Sequence, residues 1–189
     1  MKKAVQVLVL IFAGIGVFNG RSYSQTATGM ENLKVVIIRH GEKPKTGDNL
    51  TCQGVNRSLQ LPEVLHAKFG IPAYTYIPAP GLGESTKHAR MFQTIIPFAA
   101  KYNLVLNSKY EEFDSVNIAK DLLSRTGVVL MVWQHHAITS IVRALGVKTN
   151  GLQWDDNDFD SIWIITFPKG VATLTKDREG LTPSADCSY

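Results

Sequence analysis

Two histidines in this 189-residue chain stand directly after apolar, β-branched runs. Leu33 to Ile38 leads into Arg39-His40-Gly41-Glu42, and Val128 to Trp133 leads into Gln134-His135-His136. Continuous apolar runs of this length suit strands buried on both faces of a parallel sheet. Ligands of such sheets bind beyond the carboxyl ends of the strands, so His40 and His135 are expected to share one cleft. Arg39 adjoins the first histidine. Arg90 opens a helix after the loop holding Glu84, Ser85 and Thr86, and from there its guanidinium can reach the same sheet edge. Taken singly, a histidine can end a strand facing water, and an arginine is most often a surface residue. Two of each converging make a strongly cationic site, which an anion suits, and a planar guanidinium grips phosphate oxygens in pairs.

Other chemistries find less support. The five histidines show no H-x-x-x-H or H-x-x-E-H spacing, so no metal site is expected, and G-x-S-x-G is absent. No cluster of basic residues interleaved with aromatics occurs, which argues against a nucleic-acid partner. Trp133 and Trp163 occupy apolar strands and are expected in the core.

Four elements in order resemble the histidine phosphatase superfamily, in the branch similar to phosphoglycerate mutases and small bacterial phosphohistidine phosphatases. They are Arg39-His40-Gly41-Glu42; Leu50-Thr51 with Gly54 and Arg57; Thr86, Arg90 and Thr94 in the pattern S/T-x-x-x-R-x-x-x-T; and Trp133-Gln134-His135. The resemblance implies that neutral His40 attacks phosphorus and becomes a phosphohistidine that water hydrolyses, dividing one displacement into two easier ones. Its other ring nitrogen would hold the proton, typically against a backbone carbonyl. Arg39, Arg90 and His135 would bind the phosphoryl oxygens, Gly41 would let the backbone approach them, and no cofactor or metal would be needed. Glu42 is expected behind the site, orienting His40 or Arg39, or else as a solvated loop carboxylate. Arg57 is expected to line the pocket or to be structural.

The leaving-group acid is where the chain departs from the pattern. His136 takes the place where relatives carry an acid directly after the second histidine. Glu111, Glu112 and Asp114 fall in the other region where relatives place one; Asp114 reads better as a helix cap, and Glu112 is the preferred acid. The substrate expected is a small phosphorylated metabolite or a phosphohistidine-bearing protein. A catalytically weak, phosphate-binding member of the same fold is the alternative.

The elements that must position these residues follow from periodicity. Thr51 can cap a helix with Val55, Leu59, Leu65 and Phe69 on its apolar side, kinked at Pro62. A short extended piece at Tyr74 to Ile77 follows, then a helix from Lys87 to Tyr102 distorted by Pro97, and a strand at Leu104 to Leu106. A further helix begins at Asp114 or Ser115 and stops at Gly127. The helix after His135 carries Ile138, Ile141, Val142 and Leu145 and closes at Gly146. An acidic loop, Asp155 to Asp158, leads to a hairpin of Ile162 to Phe167 with Val171 to Thr175. Strands alternating with helices predict an α/β three-layer sandwich, a mostly parallel central sheet with helices on both faces.

Lys2 and Lys3 precede an apolar stretch from Ala4 to Phe18, and Ser22 and Ser24 frame a cleavage point before Gln25. This layout predicts a secretory signal peptide over 1–24, one domain over 25–189 and a periplasmic or secreted location, with no stable membrane span after its removal. The formal charge of +4 falls to +1 without Lys2, Lys3 and Arg21, so the basicity belongs mostly to the leader. Export would allow Cys52 and Cys187 to pair, although their spacing leaves two free thiols equally open.

Overall fold

The computed structural model describes residues 30–81 and 88–187; the expected leader and Thr86 lie outside them. Six strands form one sheet in the order β3-β2-β4-β1-β5-β6. The strands are β1 (Leu33–Arg39), β2 (Tyr74–Tyr76), β3 (Leu106–Asn107), β4 (Gly127–Trp133), β5 (Ser161–Thr166) and β6 (Thr173–Arg178). β3, β2, β4 and β1 pair in parallel, β5 runs antiparallel to β1, and β6 runs antiparallel to β5. The described residues also form four α-helices: α1 (Cys52–Phe69), α2 (Ala89–Tyr102), α3 (Ser115–Leu123) and α4 (His135–Ala144).

The period of two along the central strands decides which helices they meet. Val36, Ile38, Leu130 and Val132 pack with Leu61 and Leu65 of α1 and with Ile95 and Phe98 of α2. Val35, Ile37, Val129 and Met131 point to the opposite face, against Ile118 and Leu122 of α3 and Ile138 and Ile141 of α4. Both faces of β1 and β4 are therefore dry, and the architecture is the expected three-layer α/β sandwich.

Several boundaries differ from the expectation for local reasons. α1 continues as one element through Pro62. Its Thr51 cap accepts from the Gly54 amide at 3.2 Å. Gly127 does not stop α3. That helix ends at Leu123, with the Ser124 hydroxyl donating to the Asp121 carbonyl at 2.6 Å, while Gly127, at φ 80°, opens β4. β6 starts two residues later than expected because the turn at Pro168–Gly170 uses Lys169 at φ 53° and Gly170 at φ 74° before extended structure resumes. β3 is only two residues long. No described helix is long and apolar enough to cross a membrane.

The C-terminal segment is tied to the start of α1. Cys52 and Cys187 form a disulfide across 135 residues, which settles the pairing that spacing left open. Asn56 donates to the carbonyls of Ser184 at 2.9 Å and Asp186 at 2.8 Å beside it. A cross-link closing so long a loop removes much unfolded-state freedom. The double variant Cys52→Ser/Cys187→Ser is expected to lose about 2–5 kcal/mol of unfolding free energy in urea titration, with α/β circular dichroism retained.

Candidate active site

Parallel pairing of β1 with β4 sets Arg39 opposite Trp133, and the His40 amide continues the ladder to the Trp133 carbonyl at 3.3 Å. Each strand then delivers a histidine one or two residues past its end. The rings of His40 and His135 lie 6.5 Å apart, centroid to centroid, at 74°. Both imidazoles are buried, His40 at 0% exposure and His135 at 3%.

His40 has a defined tautomer. Its Nδ1–H donates to the Gly41 carbonyl at 2.7 Å, so Nε2 carries the lone pair. Nε2 lies 2.8 Å from the side-chain amide oxygen of Gln134, and turning that amide over puts an N–H on the lone pair. Burial, opposed by the Gly41 carbonyl and reinforced by the charges of Arg39 and Arg90, lowers the pKa of His40 to about 4. Burial, then Arg39 and His136, lowers His135 to about 4. Both rings are neutral at physiological pH.

The Arg39 guanidinium is buried against the 155–159 loop. One terminal nitrogen, Nη1, donates to the carbonyls of Asp156 at 2.7 Å, Asp155 at 3.3 Å and Asp158 at 3.4 Å, and Phe159 covers the group at 3.9 Å. Burial lowers its pKa to about 10, which leaves it charged at neutral pH. Arg90, at the start of α2, is close enough to bear on both Arg39 and His40. Its own Nη1 donates to the Gly47 carbonyl at 2.9 Å. The Nε–H groups of Arg39 and Arg90 and Nδ1 of His135 are buried with no hydrogen-bond partner among the described residues. The two spare guanidinium N–H donors near a neutral imidazole form an environment matched to an oxyanion.

Some expected roles go elsewhere. Glu42 orients neither His40 nor Arg39. Both of its oxygens accept from Arg57, at 2.7 to 3.1 Å. Arg57 also donates to the fully buried Glu179 at 2.5 Å and lies 3.8 Å from Asp160. Desolvation works against the Arg57 charge, but Glu42 and Glu179 outweigh it and the net shift is upward. Burial pushes the Glu179 carboxyl up, and Asp160 and Glu42 add to that push against the pull of Arg57. Three carboxylates therefore crowd one guanidinium just behind the site.

The Gly41 amide donates to Thr94 Oγ1 at 2.9 Å, and Thr94 donates back to the Arg90 carbonyl at 2.7 Å. A Cβ on Gly41 would stand 2.9 Å from the Gly54 carbonyl oxygen, so glycine is needed here for the β1 loop to meet α1. Glu112 lies 2.9 Å from His88 Nε2, whose Nδ1 is 2.6 Å from the Ala79 carbonyl. No described contact joins Glu112 to His40.

Asp156, in the acidic loop before β5, also reaches the site. Its Oδ1 lies 2.9 Å from His135 Nε2. It lines a 310 Å³ cavity together with Arg39, Lys43, Lys45 and His135. His135, His136 and Asp156 also place one ligand atom each within 4.8 Å of one another, a set able to hold a cation that H-x-x-x-H spacing could not announce. The adjacent Arg39 guanidinium favours an anion instead. Phe159, packed over Arg39 and 6.1 Å from the His40 ring, likewise had no signal beyond an aromatic after an acidic run.

Two stability outcomes follow from this geometry. Between about pH 6.5 and about pH 4 the unfolded chain takes up protons that folded His40 and His135 refuse. Their contribution is therefore full above about 6.5 and lost as pH falls to about 4; urea unfolding across this range, alongside NMR titration of the two rings, is expected to show both. Arg57→Ala is expected to cost about 3–5 kcal/mol in urea unfolding, because it leaves Glu42 and Glu179 without their cation.

No family model and no curated protein matches the chain at the sequence level. Solved structures do match its fold. A mycobacterial glucosyl-3-phosphoglycerate phosphatase superposes with a TM-score of 0.55 at 12% identity, covering 77% of this chain and 95% of its own. A phosphoserine phosphatase from Entamoeba histolytica gives 0.54 at 15%, covering 78% and 97%. A phosphoglycerate mutase from Bacillus anthracis gives 0.51 at 13%, covering 85% and 96%. The four parallel strands with antiparallel β5 alongside β1, and helices on both faces, are thus the fold that this chain shares with these three solved structures.

Proposed function

We propose that the protein is a phosphatase that hydrolyses a phosphate monoester or a phosphohistidine through a covalent phosphohistidine on His40. The observation that carries this reading is the neutral His40 whose Nδ1–H is spent on the Gly41 carbonyl, leaving its lone pair on Nε2 beside two guanidinium groups. In the reaction, Nε2 attacks phosphorus after the Gln134 amide turns aside. Arg39, Arg90 and His135 hold the equatorial oxygens and take up the charge that spreads over them. Water then displaces His40 from phosphorus. The three similar structures that carry phosphatase or mutase names support the same class of chemistry.

The substrate is a small phosphorylated metabolite or a phosphohistidine-bearing partner outside the cytoplasm. The lysine-led apolar stretch at the N-terminus and the Cys52–Cys187 disulfide, which persists in oxidising compartments, support that location. Lys43 and Lys45 at the mouth of the cavity suit an anionic substrate. Burial of His40, with Arg39 Nη1 already bonded to three carbonyls, favours a second reading in which phosphate ligands bind without efficient turnover.

Incubation with a ³²P-labelled phosphomonoester tests both. The wild type is expected to acquire an acid-labile, base-stable label, and His40→Ala to lose the label and at least about 10³-fold in kcat/KM. Ligand binding without label or product would establish the second reading instead.

A further inference from the structure

We propose that Asp156, rather than Glu112, is the catalytic acid of this site, a step that rests on the phosphatase reading above. A histidine, His136, and not a carboxylic acid directly follows His135. Glu112 is committed elsewhere. Its carboxylate faces His88 Nε2, and its backbone carbonyl accepts from Trp133 Nε1 at 2.8 Å.

Asp156 is held at the two groups that would bind the phosphoryl oxygens. Its backbone carbonyl accepts from Arg39 Nη1 at 2.7 Å, and its Oδ1 stands 2.9 Å from His135 Nε2. The loop that presents it is braced from within. Trp154 Nε1 donates to the Asp158 carbonyl at 2.8 Å, Asp155 Oδ1 accepts the Asn157 amide at 2.7 Å, and Asp158 accepts the amides of Asp160 and Ser161. The carboxyl itself is 75% exposed and lines the cavity, open to solvent. A carboxylate so close to a phosphoryl group would repel it, whereas a carboxylic acid donates a hydrogen bond to the ester oxygen.

The proton and electron pairs balance through the cycle. As the His40 Nε2 lone pair forms the P–N bond, the bond from phosphorus to the ester oxygen breaks with its electrons staying on that oxygen. The Asp156 proton moves to the same oxygen, and the neutral alcohol leaves. In the second half, water oxygen bonds to phosphorus and one of its protons returns to Asp156. The P–N electrons revert to Nε2, and inorganic phosphate departs.

The test compares kcat/KM for two esters, a simple alkyl phosphate whose alcohol leaves only when protonated and p-nitrophenyl phosphate, whose phenolate leaves without help. Wild type, Asp156→Asn and Glu112→Gln are measured on both, with the His40 label followed in parallel. Asp156→Asn is expected to lower kcat/KM for the alkyl ester by about 10²–10⁴-fold and for the nitrophenyl ester by less than about tenfold, with a longer-lived label on His40. Equal losses on both esters would overturn the proposal. So would a gain on both, which would mark Asp156 as an anion sitting where phosphate should bind, or a selective alkyl loss in Glu112→Gln instead. A wild type that labels and hydrolyses with an indifferent Asp156→Asn sinks only this assignment. One that does neither removes the phosphatase reading, and this proposal with it.

Discussion

Burial of the Arg39 guanidinium is the constraint around which the site is organised. A cation taken out of water must find donors' partners nearby, and no carboxylate lies within salt-bridge distance of it among the described residues. Backbone carbonyls of the 155–158 segment supply the acceptors, so the loop between α4 and β5 is folded onto the end of β1. Asp156 reaches His135 and Phe159 covers the guanidinium because the loop is held there. Desolvation of the His40 imidazole, with the same retained charge beside it, keeps that ring neutral.

A second buried cation, Arg57, holds the other side of the site. Glu42 follows the Arg39-His40-Gly41 turn directly, and its clamp on Arg57 fixes that turn against α1. Glu179 and Asp160 connect the same guanidinium to the segment after β6 and to the loop before β5. The Gly41 and Gly54 backbones can touch because neither carries a side chain. The two arginines thus divide the work. One is anchored by neutral carbonyls and keeps an N–H without a partner among the described residues, and the other is neutralised by carboxylates.

Much of this was legible along the chain. Apolar runs marked β1 and β4 because both lie in the dry centre of the sheet, where periodicity and burial agree. Thr51, Asp114 and Gly146 marked helix ends through local hydrogen bonds and backbone conformation, which neighbours in sequence decide. The exposed or short elements were harder to read. β3, two residues at a sheet edge, and β6, displaced by the left-handed Lys169-Gly170 turn, depend on pairing partners rather than on their own pattern. Gly127 has the same left-handed backbone whether it ends a helix or begins a strand, so its position alone could not decide between them.

The sequence by itself determined the α/β class and the residues that meet at the carboxyl edge, because a strand's burial and the histidine just beyond it are local properties. It could not assign Glu42 and Arg57 to one another, nor bring Asp156 to His135. Those contacts span 15 and 21 residues and depend on how loops settle around buried charge. The pairing of Cys52 with Cys187 was likewise open until α1 and the C-terminal segment were placed side by side. Charge burial is a property of the assembled interior, and only the tertiary structure decides which partner each buried charge finds.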